Sequence, residues 1–156
     1  KTEGHIDQSI FARIILDEKN GPPPEINLFN EKNNGETLLQ LIESTHIKSA
    51  HDISLGGILV SLSKMCIKGN KGINLKKPKF LINEIEYFFA EDQGRYIIEI
   101  EPKDHKEVVK ILEKNSVHYD ELGSIIDKEM IINQKTKVTI DELKSCNTNW
   151  LNKYMS

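Results

Sequence analysis

A chain of 156 residues, 38% of them hydrophobic and 29% charged, is long enough for one domain with its own core. Its 21 basic and 24 acidic residues give a formal net charge of -3, which excludes a nucleic-acid partner recruited by bulk positive charge. No apolar run is long enough to span a bilayer and no signal-peptide pattern is visible, so no membrane partner is expected. Cys66 and Cys146 show neither metal-ligand spacing nor a disulfide framework, which points to a reducing, cytoplasmic setting. The chain begins Lys1-Thr2-Glu3-Gly4 without an initiator Met, and we expect it to be a piece of a longer polypeptide.

In chain order, Ser9 to Asp17 carries an apolar stripe of Ile10, Phe11, Ile14 and Ile15, a short helix with Ser9 as N-cap. Pro22-Pro23-Pro24 then forces an extended connection. Asn33-Asn34-Gly35 reads as a turn, and Glu36 to Thr45 as a helix carrying Leu38, Leu39, Leu41 and Ile42. Ile47 to Ala50 reads as the end of a strand. A helix over Gly57 to Ile67 buries Ile58, Leu59, Leu62, Met65 and Cys66, with Ser61 and Lys64 off that face. Lys68 to Gly72 carries C-cap chemistry and Ile73 to Leu75 a short strand. Lys76-Lys77-Pro78-Lys79 reads as a solvated loop, and Phe80 to Phe89 as a helix running into a buried turn. Tyr96 to Ile100 is a strand. Pro102 and Asp104 open a helix with Val108, Val109, Ile111 and Leu112 inward. Strands over Tyr119 to Ile126, Lys128 to Asn133 and Lys137 to Ile140 precede a last helix, Glu142 to Trp150, capped by Asp141. The sum is an α+β fold of about five helices and five or six strands. We expect a single domain over residues 1–156, with residues 1–35 a lead-in helix and Pro-rich connection and residues 36–156 the compact core.

Two clusters carry more polar chemistry than packing requires. In the first, His51-Asp52-Ile53-Ser54-Leu55-Gly56-Gly57 stands at a strand-to-helix turn. Paired glycines there let backbone approach closely and offer N–H groups at a helix N-terminus, the physics of an anion site. Capping of the helix by Ser54 or Asp52 is the competing reading. In the second, Glu91, Gln93 and Arg95 alternate along an extended segment and so face one way. Together they can bind a polar ligand, with Arg95 a bidentate donor to phosphate or carboxylate; the competing reading is an internal Glu91–Arg95 ion pair. His51 and Asp52 point to opposite faces of a strand and do not form a dyad. His5, His46, His105 and His118 show no ligand spacing, and His105 and His118 read as surface residues.

These clusters carry a resemblance. Ala50-His51-Asp52-Ile53-Ser54-Leu55-Gly56-Gly57 resembles the A-H-D-[VI]-S-x-G-G segment of the phosphoribosylformylglycinamidine synthase family, large or synthetase subunit. Phe89-Ala90-Glu91-Asp92-Gln93-Gly94-Arg95 is similar to its F-S-E-S-Q-x-R segment. Gly4 to Phe11 and Gly21-Pro22-Pro23-Pro24 stand where the family has G-x-x-x-x-S-x-[FY] and G-x-P-P, and Leu122-Gly123 with Ile140-Asp141-Glu142-Leu143 is similar to its ending. Leu55 stands where the family has an acidic residue and Asp92 where it has serine.

The resemblance is to the C-terminal domain of that enzyme's second half, a module shared with aminoimidazole ribonucleotide synthase. It implies a mixed sheet covered by helices, packed beside an N-terminal partner domain with nucleotide between such pairs. It implies a reaction in which ATP, with Mg, activates the formyl amide oxygen of formylglycinamide ribonucleotide and ammonia displaces the phosphate. The ammonia comes from a glutaminase subunit or domain. The family's catalytic histidines and Mg ligands lie upstream, so no catalytic residue or metal ligand is expected in this chain, and the chain alone is expected to be inactive. The nucleotide- or phosphate-binding candidates are His51, Asp52, Ser54, Gly56, Gly57, Glu91, Gln93 and Arg95. The alternatives are a domain of an aminoimidazole ribonucleotide synthase or selenophosphate synthase type enzyme, or a non-catalytic small-molecule-binding module; the strand-helix-strand run from Arg95 to Ile126 favours the last.

Overall fold

The computed structural model describes residues 1–76 and 83–155, with the side chains of residues 151–153 outside that description. The chain forms two compact units, one of Lys1–Ser61 with Ile82–Asp120, the other of Leu62–Leu81 with Glu121–Ser156. The fold is α+β, and its larger sheet is mixed.

The first unit opens with α1 (Ile10–Ile15), whose N-cap Ser9 accepts the Ala12 N–H at 3.1 Å as the sequence predicts. The buried face runs through Ala12 rather than the expected apolar stripe; Ile14 and Ile15 stand 71% and 66% exposed. Next comes α2 (Leu28–Glu43), capped by Asn27. The predicted turn at Asn33-Asn34-Gly35 is instead the middle of this helix. Tertiary hydrogen bonds override the local breakers: Asn33 Nδ2 donates to the Asn115 carbonyl and Asn34 Nδ2 to that of Gly94, both at 2.9 Å.

From α2 the chain enters β1 (Ile47–Ile53), so His51 and Asp52 lie within a strand, and then α3 (Gly57–Gly69). Along α3, Ile58, Leu62 and Cys66 are buried as expected, but so is Ser61, whose hydroxyl donates to the Asp52 carbonyl at 3.0 Å. A small residue that satisfies its own hydroxyl fits the helix face nearest the strand it follows. Asn70, left-handed at φ 52°, ends the helix.

In the second unit β2 (Gly72–Leu75) follows. Of the predicted Phe80 to Phe89 helix, α4 (Glu84–Phe89) is present, started by Asn83 accepting the Glu86 N–H at 2.9 Å; residues 80–82, like most of the predicted Lys76 to Lys79 loop, lie outside the described residues. β3 (Arg95–Ile100) belongs to the first unit and pairs antiparallel with β1. After a 3-10 turn at Pro102–Asp104, α5 (His105–Lys114) lays Val108 and Leu112 against Leu41 of α2, with Ile47, Ile98 and Ile100 of the strands packed alongside. Burying Leu41, Val108 and Leu112 stabilises by about 2 kcal/mol each, and the half-buried isoleucines contribute less.

The second unit is completed by β4 (Gly123–Ile126), β5 (Glu129–Ile132), β6 (Thr136–Thr139) and α6 (Ile140–Met155). Its strand order is β4-β2-β5-β6, with β2 and β5 parallel and the other pairs antiparallel. β3 and β4 therefore lie in different sheets, and the Arg95 to Ile126 run is not a strand-helix-strand unit of one sheet. The cap of α6 is Thr139 rather than Asp141. Thr139 Oγ1 accepts the Glu142 N–H at 3.2 Å, and Glu142 Oε2 accepts the Thr139 N–H at 2.7 Å. This reciprocal box was legible as Thr-Ile-Asp-Glu.

Candidate functional site

The two polar clusters meet because β1 and β3 run antiparallel with His51 opposite Ile97, Asp52 opposite Tyr96 and Ile53 opposite Arg95. That register sets the end of β1 and the turn after it beside the segment that leads into β3. A cavity of about 260 Å³ opens there, lined by Asp52, Ser54, Leu55, Glu91, Gln93 and Arg95 among others. His51, Gly56 and Gly57 do not line it.

Arg95 is 7% exposed and committed to the protein's own groups. Its Nη2 donates to the Ala90 carbonyl at 2.8 Å, its Nε to that of Asp92 at 3.1 Å, and its Nη1 to Thr2 Oγ1 at 3.1 Å. The carboxylate beside it is Asp92, at 3.7 Å, so the internal pair weighed between Glu91 and Arg95 is made by Asp92 instead. Burial pulls the guanidinium's pKa down from its ordinary value, and the Asp92 charge opposes that shift.

Asp92 does more than pair. Its Oδ2 accepts the N–H groups of Glu3 and Gly4 at 3.0 and 3.2 Å, and its Oδ1 that of His5 at 3.0 Å. In the sequence this residue stands out only as a departure from serine; three consecutive amides needing an acceptor leave no mark in a one-dimensional pattern. Glu91 turns the other way. Its Oε1 accepts the Gly56 N–H and the Ile10 N–H, each at 2.8 Å.

Both glycines of the turn are explained by the fold. Gly56 and Gly57 have φ of 84° and 69°, the left-handed region. A Cβ on Gly57 would lie 2.6 Å from the Phe88 carbonyl oxygen and 2.8 Å from that of Ala90. The Gly57 N–H donates to the Ser54 carbonyl at 3.0 Å. Among the described residues neither Ser54 nor Asp52 caps α3 with its side chain. His51 and Asp52 alternate in burial along β1, as predicted, yet the His51 ring turns along the chain: its Nδ1 lies 2.6 Å from the Asp52 carbonyl oxygen and 3.3 Å from Asp52 Oδ1.

Around the cavity stand four carboxylates, Asp7, Glu31, Asp52 and Glu91, and one guanidinium, that of Arg95. The lining is mostly acidic, its one guanidinium is engaged within the chain, and so are the Gly56 and Gly57 amides of the neighbouring turn, a balance of charge that opposes a polyphosphate. Among the described residues no group of three or more His, Cys, Asp and Glu side chains is placed to hold a metal ion. No helix of the described residues is long and apolar enough to cross a membrane. Asp7, Gln8, Pro24 and Glu31 join the lining without a sequence signal, because they reach it through tertiary packing from the lead-in segment and α2.

Residues 6–134 match the family described as AIR synthase related protein, C-terminal domain. The chain is 66% identical over 155 residues to a curated phosphoribosylformylglycinamidine synthase subunit PurL from Pelagibacter ubique, covering 99% of this chain and 21% of the relative. It is 34% identical over 151 residues to the subunit of that name from Bartonella bacilliformis, covering 97% of this chain and 20% of the relative. The chain thus spans about a fifth of the length of these curated relatives. Among solved structures, T. maritima PurL complexed with FGAR superposes with a TM-score of 0.70 at 21% identity, over 85% of this chain and 24% of that one. T. maritima PurL complexed with ATP does so with a TM-score of 0.61 at 20% identity, over 72% and 21%. These likenesses carry the fold.

Proposed function

The chain belongs to the AIR synthase related protein, C-terminal domain family, and from that premise we propose that it serves as the C-terminal domain of the second half of a phosphoribosylformylglycinamidine synthase. That enzyme is an ATP- and Mg-dependent ligase of purine biosynthesis acting in the cytoplasm. It converts formylglycinamide ribonucleotide, ATP and glutamine-derived ammonia to formylglycinamidine ribonucleotide, ADP and phosphate. The reading is supported by the likeness to curated subunits along nearly the whole chain, and by the convergence of the two family-like segments on one cavity.

The chain's part is to shape one wall of a site. Its partners are the preceding portion of the same enzyme and the glutaminase subunit or domain that supplies ammonia. Asp52, Ser54 and Gln93, exposed on the cavity, meet the neutral hydrogen-bonding atoms of a ligand; His51, Gly56, Gly57, Glu91 and Arg95 hold the wall in shape. Catalytic groups and metal ligands belong to the preceding portion, so the chain is inactive alone.

The test is ATP- and ammonium-dependent amidine synthesis by this chain, by the separately expressed preceding polypeptide, and by the two mixed. Activity in the mixture alone is the expected result. Activity of this chain by itself overturns the assignment of the chemistry upstream. No activity in a mixture whose two pieces are folded and associated overturns the ligase reading in favour of a binding module.

A further inference from the structure

The Ser54–Gly57 turn has the sequence form of an anion site, but the donors of its two glycines are taken up inside the chain. Gly57 gives its N–H to the Ser54 carbonyl, and Gly56 gives its N–H to Glu91 Oε1. The same oxygen also receives the Ile10 N–H, the first amide of α1, at 2.8 Å. The space beside Gly57 is filled by the backbone of residues 88–90 and that beside Gly56 by the Val60 side chain, so both glycines answer to close protein packing. A carboxylate held by two convergent amides has the charge and hydrogen-bond geometry of a bound phosphate oxygen.

We infer that Glu91 is the resident anion of this turn. Its carboxylate takes the place of a ligand phosphate and ties the start of α3 to the start of α1. The turn therefore fastens the lead-in segment and binds no phosphate group. This rests on the family reading, which implies a nucleotide, and it narrows that reading: the phosphates are held by groups outside this turn. The disagreement with the sequence expectation has a physical source. Paired glycines at a strand-to-helix turn permit an anion to approach, whether it belongs to a ligand or to the chain itself.

Backbone amide NMR on the 156-residue chain tests the inference, with inorganic tripolyphosphate and Mg-ATP as probes. In the unaltered chain the Ile10 and Gly56 amide signals are expected to stay in place through both titrations. In Glu91→Ala the same two amides are expected to exchange with solvent about tenfold faster or more. Glu91→Gln, which keeps an accepting oxygen, retains part of the protection. Saturable movement of the Gly56 and Ile10 signals in the unaltered chain overturns the inference, because a ligand is then displacing Glu91. Equal exchange in the unaltered chain and Glu91→Ala overturns it as well. If Glu91→Ala does not fold, the titration of the unaltered chain decides. All readouts are on this chain alone, so a failed amidine-synthesis mixture sinks the ligase reading and leaves this one standing.

Discussion

Asp92 concentrates several interactions on one side chain: a buried ion pair with Arg95 and three backbone amides of the lead-in segment. Removing the carboxylate leaves the buried guanidinium without its counter-charge and three part-buried amides without their acceptor. Asp92→Ala is therefore expected to lower unfolding stability by about 3 kcal/mol or more, read from urea midpoints at constant m-value. A loss below about 1 kcal/mol would mean that the segment is not clamped in solution. A surface carboxylate behaves differently. Glu101 sits between Lys103 and Lys48, at 2.8 and 2.7 Å, and their hydrogen bonds, Lys103 first, hold its pKa down to about 2 from an ordinary 4.5. A depressed carboxylate pKa contributes stability that is present above 4.5 and lost as pH falls toward about 2. Side-chain carboxyl NMR of Glu101 is expected to titrate near the bottom of that window, and Lys103→Ala to move it upward. A midpoint near 4.5 in the unaltered chain would show that both lysines swing free.

At the scale of elements, the start of α3 is set by what its first residue lacks. Gly57→Ala puts a Cβ against the carbonyls of Phe88 and Ala90 at a φ of 69°. Strain and collision together are expected to cost about 2–4 kcal/mol. At the other end of the same helix, Gly69 has open space, with nothing within 4 Å of where a methyl would stand, and no left-handed φ. Gly69→Ala is expected to leave stability unchanged or raise it by up to about 1 kcal/mol. Thermal denaturation of the two variants side by side separates a helix start fastened by packing from an ordinary one. Equal effects at both ends would contradict the close approach of α3 to the α4 exit. The same logic explains α2, where Asn33, Asn34 and Gly35 discourage a helix locally while two side-chain hydrogen bonds and the burial of Leu41 hold it.

At the scale of the whole molecule, each of the two compact units draws on two separated stretches of chain, so neither can be cut out as a continuous segment. The surface also carries large apolar side chains, among them Leu28 and Phe29 at 77% and 78% exposed. Exposed apolar groups on this scale are a feature of surfaces that meet partners. The double change Leu28→Ser, Phe29→Ser is expected to alter stability by less than about 1 kcal/mol while lowering fluorescence of a bound hydrophobic dye. A large loss of stability would show that these residues are buried in solution, within an assembly of copies.

The α+β class, the Ser9 cap, the inward face of α5, the apolar part of that of α3 without Ser61, and the position of β3 were readable from residue order, because each depends on neighbours a few positions apart. So were the two polar clusters. Their meeting was not, since it depends on β1 pairing with β3 across more than forty residues, and no local pattern encodes that register. Which carboxylate serves which donor was equally hidden. Glu91 and Asp92 are adjacent in sequence, and alternation alone placed Glu91 on the face of Arg95, where it could meet a ligand or pair with the guanidinium. The fold sends Glu91 to the Gly56 and Ile10 amides and Asp92 to Arg95 and the lead-in segment, because those are the donors each can reach. Residue order thus supplied the chemical groups and their local geometry. Tertiary packing decided which of them face a ligand and which satisfy the protein, because burial makes every unpaired donor costly and the nearest acceptor is taken first.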